Sequence, residues 1–360
     1  MALKHRRGLR DGKVTSLVAI WRQCELADTF LKIEQYLPTT ALEKKSWLAG
    51  PMCAITPMPH PSHVPGTNVL MPLTAPASFS EDMVPSHGGE PFRIFVHLPD
   101  VPAPAGGWPL LCLTDGNAVF GTAVDDVRSQ ASWSKGTDVG DGVVVAIGYP
   151  GDKAHDPLRR SWDLSPPPGR TYPPFTPDGP PARTGGAAPF LRFIADDLLP
   201  WINRRVPIDP RRTSLFGHSF GGLFALYVLF TQPELFRNYF AVSPTIYWED
   251  ATLRPLEDAF FARPLDARGI RLHLSAGAFE GDRLAPFYKG RADEVERQAH
   301  QRKIATIDLT RALAERVAAQ GANNLKGSFE IFPGENHMSV PTVAVGRAVQ
   351  VAFSLSWDRW

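Results

Sequence analysis

The sequence predicts an α/β fold built on a mostly parallel central sheet with helices on both faces. Three observations carry that prediction. Continuous apolar runs such as "WPLLCLTDG" (108–116) and "GVVVAIGYP" (142–150) suit strands covered on both sides rather than on one. These runs alternate with segments of helical periodicity, the pattern of strand–helix–strand units. The stretch "RRTSLFGHSFGGLFALYVLF" (211–230) changes abruptly from strand to apolar helix at a glycine-bracketed serine.

Taken in chain order, the regular pattern begins near Asn68. "PFRIFVHLP" (91–99) has strand composition, and the runs at 108–116 and 142–150 follow. Phe190, Phe193, Ile194, Leu198 and Trp201 are spaced for a helix over 188–206, with a break expected at Pro200. A strand over 213–216 leads into the apolar helix. Segments 237–244 and 271–277 read as further strands. "IATIDLTRALAERVAAQG" (304–321) is an amphipathic helix closed by glycine, 328–337 is the last strand with its loop, and 341–355 is the final helix. The proline-rich segment 163–186 is the one long irregular stretch. It falls after a strand, where open α/β sheets place ligands, and reads as a wall or cover of a cleft.

Composition bounds the rest. A chain of 360 residues, 43% hydrophobic and 21% charged, suits one large globular domain with an appendage. We expect residues 1–67 to be an N-terminal extension, poorly ordered, with a proline-rich linker at 57–66. Residues 68–360 are expected to form the functional domain. The net charge of +1 supplies no field to attract nucleic acid. No run approaches the ~20 apolar residues of a membrane span, and "SLVAIW" is too short and interrupted for a secretory signal, so a cytoplasmic location is expected. The three cysteines, Cys24, Cys53 and Cys112, are too scattered for a disulfide framework or a zinc site. No metal and no cofactor are expected.

The chemistry centres on Ser219. The G-x-S-x-G pattern formed by Gly217, Ser219 and Gly221 reads as a tight strand-to-helix turn that lifts a serine above the end of a sheet. A serine hydroxyl is a weak nucleophile until a base takes its proton. Three histidines follow Ser219. His273 lies inside an apolar strand and His300 on a charged helical face, whereas His337 sits in the loop "PGENHMSV" after a strand, so His337 is the expected base. The orienting acid should stand after the penultimate strand, where "HLSAGAFEGD" offers Glu280 and Asp282; spacing alone does not separate them. A tetrahedral oxyanion needs backbone donors worth about 3 kcal/mol each. Phe220 is one; Gly116 or Asn117 in "LTDGNAVF" is the other, with Asp115 read as fixing the turn. Tyr247 and Trp248 either line a pocket or pack under a loop. Arg159 and Arg160 suit anionic oxygens or a structural bridge to Asp163.

These residues resemble the putative-esterase family of α/β-hydrolases, and within it the esterases of trilactone, catecholate siderophores. The resemblance covers about Asn68 to Leu355. It is carried by "GHSFGGLFALYVLFTQPELFRNYFAVSPTIYW" and "FEIFPGENHMSV", with support from "LTDGNAVF" and "RSWDLSP". It implies Ser219 as nucleophile, His337 as base, Glu280 as acid and Asn117 as the second oxyanion donor. It also implies Arg160 beside an anionic substrate group, with Trp248 standing for half of a tryptophan pair. The loop after Glu280 departs from the family pattern. The implied substrate is a small-molecule ester, a ferric siderophore or an enterobactin-like trilactone. Related branches hydrolyse S-formylglutathione or other small acyl esters, so a general carboxylesterase or thioesterase is the alternative. A non-catalytic hydrolase-fold binding protein is the alternative outside enzymes.

Overall fold

The structure, a computed structural model, describes residues 77–263, 269–319 and 325–359. The expected extension over 1–67 lies outside the described residues. An eight-stranded sheet has the order β1-β2-β4-β3-β7-β8-β9-β10. Its members are β1 (Ser78–Met83), β2 (Phe92–His97), β3 (Trp108–Thr114), β4 (Val143–Gly148), β7 (Ile208–His218), β8 (Asn238–Val242), β9 (Arg271–Gly277) and β10 (Lys326–Phe332). Every pairing from β4 to β10 is parallel; β2 runs antiparallel to both of its neighbours.

The continuous apolar runs have a direct cause. Successive side chains alternate between faces, and both faces are covered. Leu110, Cys112, Val143, Val145 and Leu215 pack on one side against α3 (Ala187–Arg192), α4 (Leu199–Arg205) and α5 (Phe220–Thr231). Leu111, Leu113, Val144, Ala146 and Phe216 pack on the other against α1 (Gly116–Ala131) and α9 (Val340–Ala352). Burying each such side chain stabilises the fold by about 1.5–3 kcal/mol. Cys112, inside this core, has its thiol pushed up to about 12 by burial.

The helix expected over 188–206 is divided. Between α3 and α4 the residues Phe193–Leu198 form a π-helical segment, so the irregularity precedes Pro200 rather than falling on it. Proline offers no N–H and its ring crowds the carbonyl four residues back; widening the preceding turn relieves both. The exposed edge strand β1 has no apolar run and was not expected. The long segment 163–186 contains a two-stranded hairpin, β5 (Thr171–Tyr172) with β6 (Ala182–Arg183). Further helices are α2 (Pro157–Asp163), α6 (Arg254–Ala262), α7 (Glu294–Ile304) and α8 (Thr306–Ala319), besides several single-turn ones. Among the described residues no helix is long and apolar enough to cross a membrane.

Candidate active site

The turn between β7 and α5 holds Ser219 at φ 58°, ψ −115°, a conformation that L-residues rarely adopt. Its neighbours explain how the turn closes. A side chain at Gly217 would collide with the backbone of Gly221, and one at Gly221 would collide with Thr114. Strand and helix can approach only because these positions lack a Cβ. The Ser219 N–H donates to the Val242 carbonyl at 2.9 Å, which ties the turn to β8.

The parallel sheet brings three distant loops to this point. Ser219 follows β7, Glu280 follows β9 and His337 follows β10, all at the carboxyl ends of their strands. His337 Nε2 lies 3.1 Å from Ser219 Oγ, and His337 Nδ1 lies 2.6 Å from Glu280 Oε2. Glu280 is buried, and its other oxygen, Oε1, accepts the Gly277 N–H at 2.7 Å and the Ser243 hydroxyl at 2.5 Å. With Oε1 occupied, Oε2 is left to face the imidazole. The His337 loop is itself braced. Asn336 Oδ1 accepts the Met338 N–H at 2.8 Å, and the Asn336 N–H donates to Ser339 Oγ at 3.0 Å. Asp282 lies elsewhere: it is exposed and 3.5 Å from Arg302. His273 stays in β9, stacked on Phe240, and His300 stays on α7.

Beside Ser219, the first turns of two helices come close together. Phe220 begins α5, and Gly116 and Asn117 begin α1, so their N–H groups belong to the set that has no acceptor within a helix. A Cβ on Gly221 would run into Thr114 Oγ1 and come close to Asp115, so the two turns sit side by side. The Asn117 side chain clamps the exit of β4, accepting the Tyr149 N–H at 2.8 Å and donating to the Tyr149 carbonyl at 3.0 Å.

Two residues expected to meet substrate have other neighbours. Arg160 is 2% exposed, and its Nε and Nη2 donate to Asp115 at 2.5 and 3.1 Å. Burial raises the Asp115 carboxyl, but Arg160 and His155 outweigh it and hold the group well below the usual carboxylate range. Arg160 thus sits beneath the α1 turn as an internal counter-ion. Trp248 is buried, edge-on to Phe220 with ring centroids 4.7 Å apart and 5.6 Å from Tyr172. Glu249 follows and accepts the hydroxyls of Tyr172 at 3.0 Å and Thr184 at 2.6 Å, pinning the β5–β6 hairpin beside this segment.

Sequence reasoning missed three residues at the site. Ser243 holds Glu280, and Thr245 Oγ1 lies 3.3 Å from Ser219 Oγ. His218 packs its ring against His337 with centroids 4.6 Å apart. The only signals were a Ser-Pro pair after a strand and a histidine in the last position of an apolar one.

The chain resembles known proteins in both sequence and fold. The family model described as "Putative esterase" matches residues 86–339. The ferri-bacillibactin esterase BesA of Bacillus subtilis is 34% identical over 80% of this chain and 90% of its own length. The siderophore triacetylfusarinine C esterase of Aspergillus fumigatus is 33% identical over 74% of this chain and 89% of its own. The solved structure of the siderophore hydrolase EstA from Aspergillus nidulans superposes with a TM-score of 0.69 at 30% identity, covering 81% of this chain and 99% of that one. By sequence and fold, the chain belongs to the putative esterase family of α/β-hydrolases.

Proposed function

We propose that the protein is a serine esterase that opens siderophore esters through an acyl-enzyme, with Ser219, His337 and Glu280 as its catalytic residues. The hydrogen-bonded chain from Ser219 Oγ through His337 to Glu280 carries the proposal. In the first half-reaction His337 Nε2 takes the Ser219 proton as Oγ attacks the ester carbonyl. Glu280 accepts the Nδ1–H, fixing the tautomer and stabilising the imidazolium. The developing oxyanion is met by N–H groups at the two helix N-termini, Phe220 on one side and Asn117 or Gly116 on the other. His337 then returns the proton to the departing alcohol. In the second half-reaction His337 activates water, which attacks the acyl-enzyme. The acid is released and Ser219 regains its proton.

The relatives' substrates support a siderophore ester, and a ferric siderophore or an enterobactin-like trilactone is the form proposed. A fluorophosphonate probe should label the protein at Ser219, and Ser219→Ala should abolish labelling and lower kcat by at least 10³-fold. Labelling that persists in Ser219→Ala would overturn the nucleophile. Relative kcat/KM on a catecholate trilactone and on p-nitrophenyl acyl esters tests the substrate; preference for the simple esters would favour a general carboxylesterase.

A further inference from the structure

His218 lies directly beside the proposed base yet has no part in the proton path. Along β7, Phe216 and His218 share a face, and Phe216 belongs to the core layer beneath α1 and α9. His337 stands three residues before the start of α9 and so arrives on that same face. The two rings meet with centroids 4.6 Å apart and planes inclined at 47°. His218 is 7% exposed, and its Nε2 is buried with no hydrogen-bond partner among the described residues. It borders a cavity of about 110 Å³ shared with Asp115, His155 and Met338.

We propose that His218 is a positioning residue for His337, a ring that holds the imidazole between Glu280 and Ser219 and lies against it as it becomes charged. This rests on His337 acting as the base. The groups facing His218 disfavour a charge on its ring. Burial acts most strongly, and His337, Arg160 and His155 add repulsion toward a second positive charge. Asp115 opposes them but is already paired with Arg160. Together they hold the His218 ring well below its ordinary titration range. A charged neighbour would disfavour the imidazolium that forms as Ser219 attacks. A neutral aromatic face attracts it instead.

Two measurements test the proposal. In Ser219→Ala protein, imidazole NMR should show His218 not titrating between about pH 5 and 9; a midpoint inside that window overturns it. In pH–rate profiles on a p-nitrophenyl ester, His218→Leu should lower kcat about tenfold at unchanged KM. It should also move the acidic limb of kcat/KM down by about half a pH unit, because imidazolium loses support. His218→Phe, which keeps an aromatic face, should recover most of both effects. Equal losses in Leu and Phe variants with unchanged melting temperature, or no loss in either, overturn the role. Should the Leu variant fail to fold, the NMR titration decides alone. His337→Gln separates the two levels: retained activity there would overturn the base itself. An inactive His337→Gln beside an unmoved His218→Leu limb overturns only His218.

Discussion

Two buried carboxylates lie near Ser219, and their difference separates chemistry from scaffolding. Glu280, 3% exposed, accepts a hydroxyl and a backbone N–H on one oxygen and an imidazole on the other. Asp115, 6% exposed, accepts two donors of one guanidinium and stands 3.7 Å from His155. Both are buried carboxyl groups with positive or polar partners, as burial requires. What differs is the partner's second end. His337 has another nitrogen, aimed at Ser219, and an imidazole nitrogen can either give or take a proton. Arg160 keeps its charge at any working pH and gives Asp115 two donors. The first arrangement is suited to passing a proton; the second is suited to holding a turn.

The largest expected effect follows from that contrast. Glu280→Gln should lower kcat on a p-nitrophenyl ester about 10³-fold with little change in KM, since an amide no longer favours the required tautomer. Asp115→Asn should lower kcat far less and act chiefly on the denaturation midpoint. A kcat loss as severe in Asp115→Asn at unchanged stability would erase the distinction. Next in size is Arg160→Met. It leaves Asp115 buried without its counter-ion and should cost about 3 kcal/mol of stability in urea denaturation. KM should change equally for anionic and neutral esters; a selective rise for the anionic ester in a stable variant would bring Arg160 to the substrate.

The same contrast explains what was legible in the sequence. Strands β3 and β4 could be read because coverage on both faces writes an unbroken apolar run into the chain. Ser219 could be read because its turn demands glycines at fixed offsets. His337 and Glu280 could be read because parallel topology brings loops at the carboxyl ends of strands together, so chain order stands in for position. Arg160 could not be placed, since an arginine looks alike in sequence whether it faces solvent or a buried carboxylate 45 residues away. Ser243 was invisible for a similar reason: its partner is 37 residues distant, and serine is common after strands. Strand β1 pairs only at an exposed edge and carries no apolar signature.

Ser243 gives a smaller test on the Glu280 side. Ser243→Ala removes one of the two donors on Oε1 and leaves the Gly277 N–H. The carboxylate then has less to hold Oε2 toward His337. A loss of about 1–2 kcal/mol in stability should accompany a kcat about tenfold lower. An unchanged kcat would mean that Gly277 alone sets the orientation of Glu280.

A third carboxylate sharpens the Asp115 side. Asp163 stands next to Arg159 much as Asp115 stands next to Arg160, but the balance differs. Arg160 gives Asp115 two donors, at 2.5 and 3.1 Å. Arg159 gives Asp163 only Nε at 3.3 Å, while its Nη1 turns to Glu90 at 3.0 Å and to the Pro91 carbonyl. Burial therefore wins at Asp163 over Arg159 and the Tyr149 hydroxyl, pushing the carboxyl up to about 7. The folded value lies above that of the unfolded chain, about 4. From about pH 4 to 7 the folded protein therefore keeps a proton that the unfolded chain has lost. This group's contribution to stability falls as pH rises through that window and is level above it. Asp163→Asn should remove that slope, leaving the variant about 4 kcal/mol more stable than the parent at pH 8 and equal to it near pH 4. A variant less stable at both pH values would mean that Arg159 keeps Asp163 ionised, as Arg160 keeps Asp115, and that one donor is enough to overcome burial here.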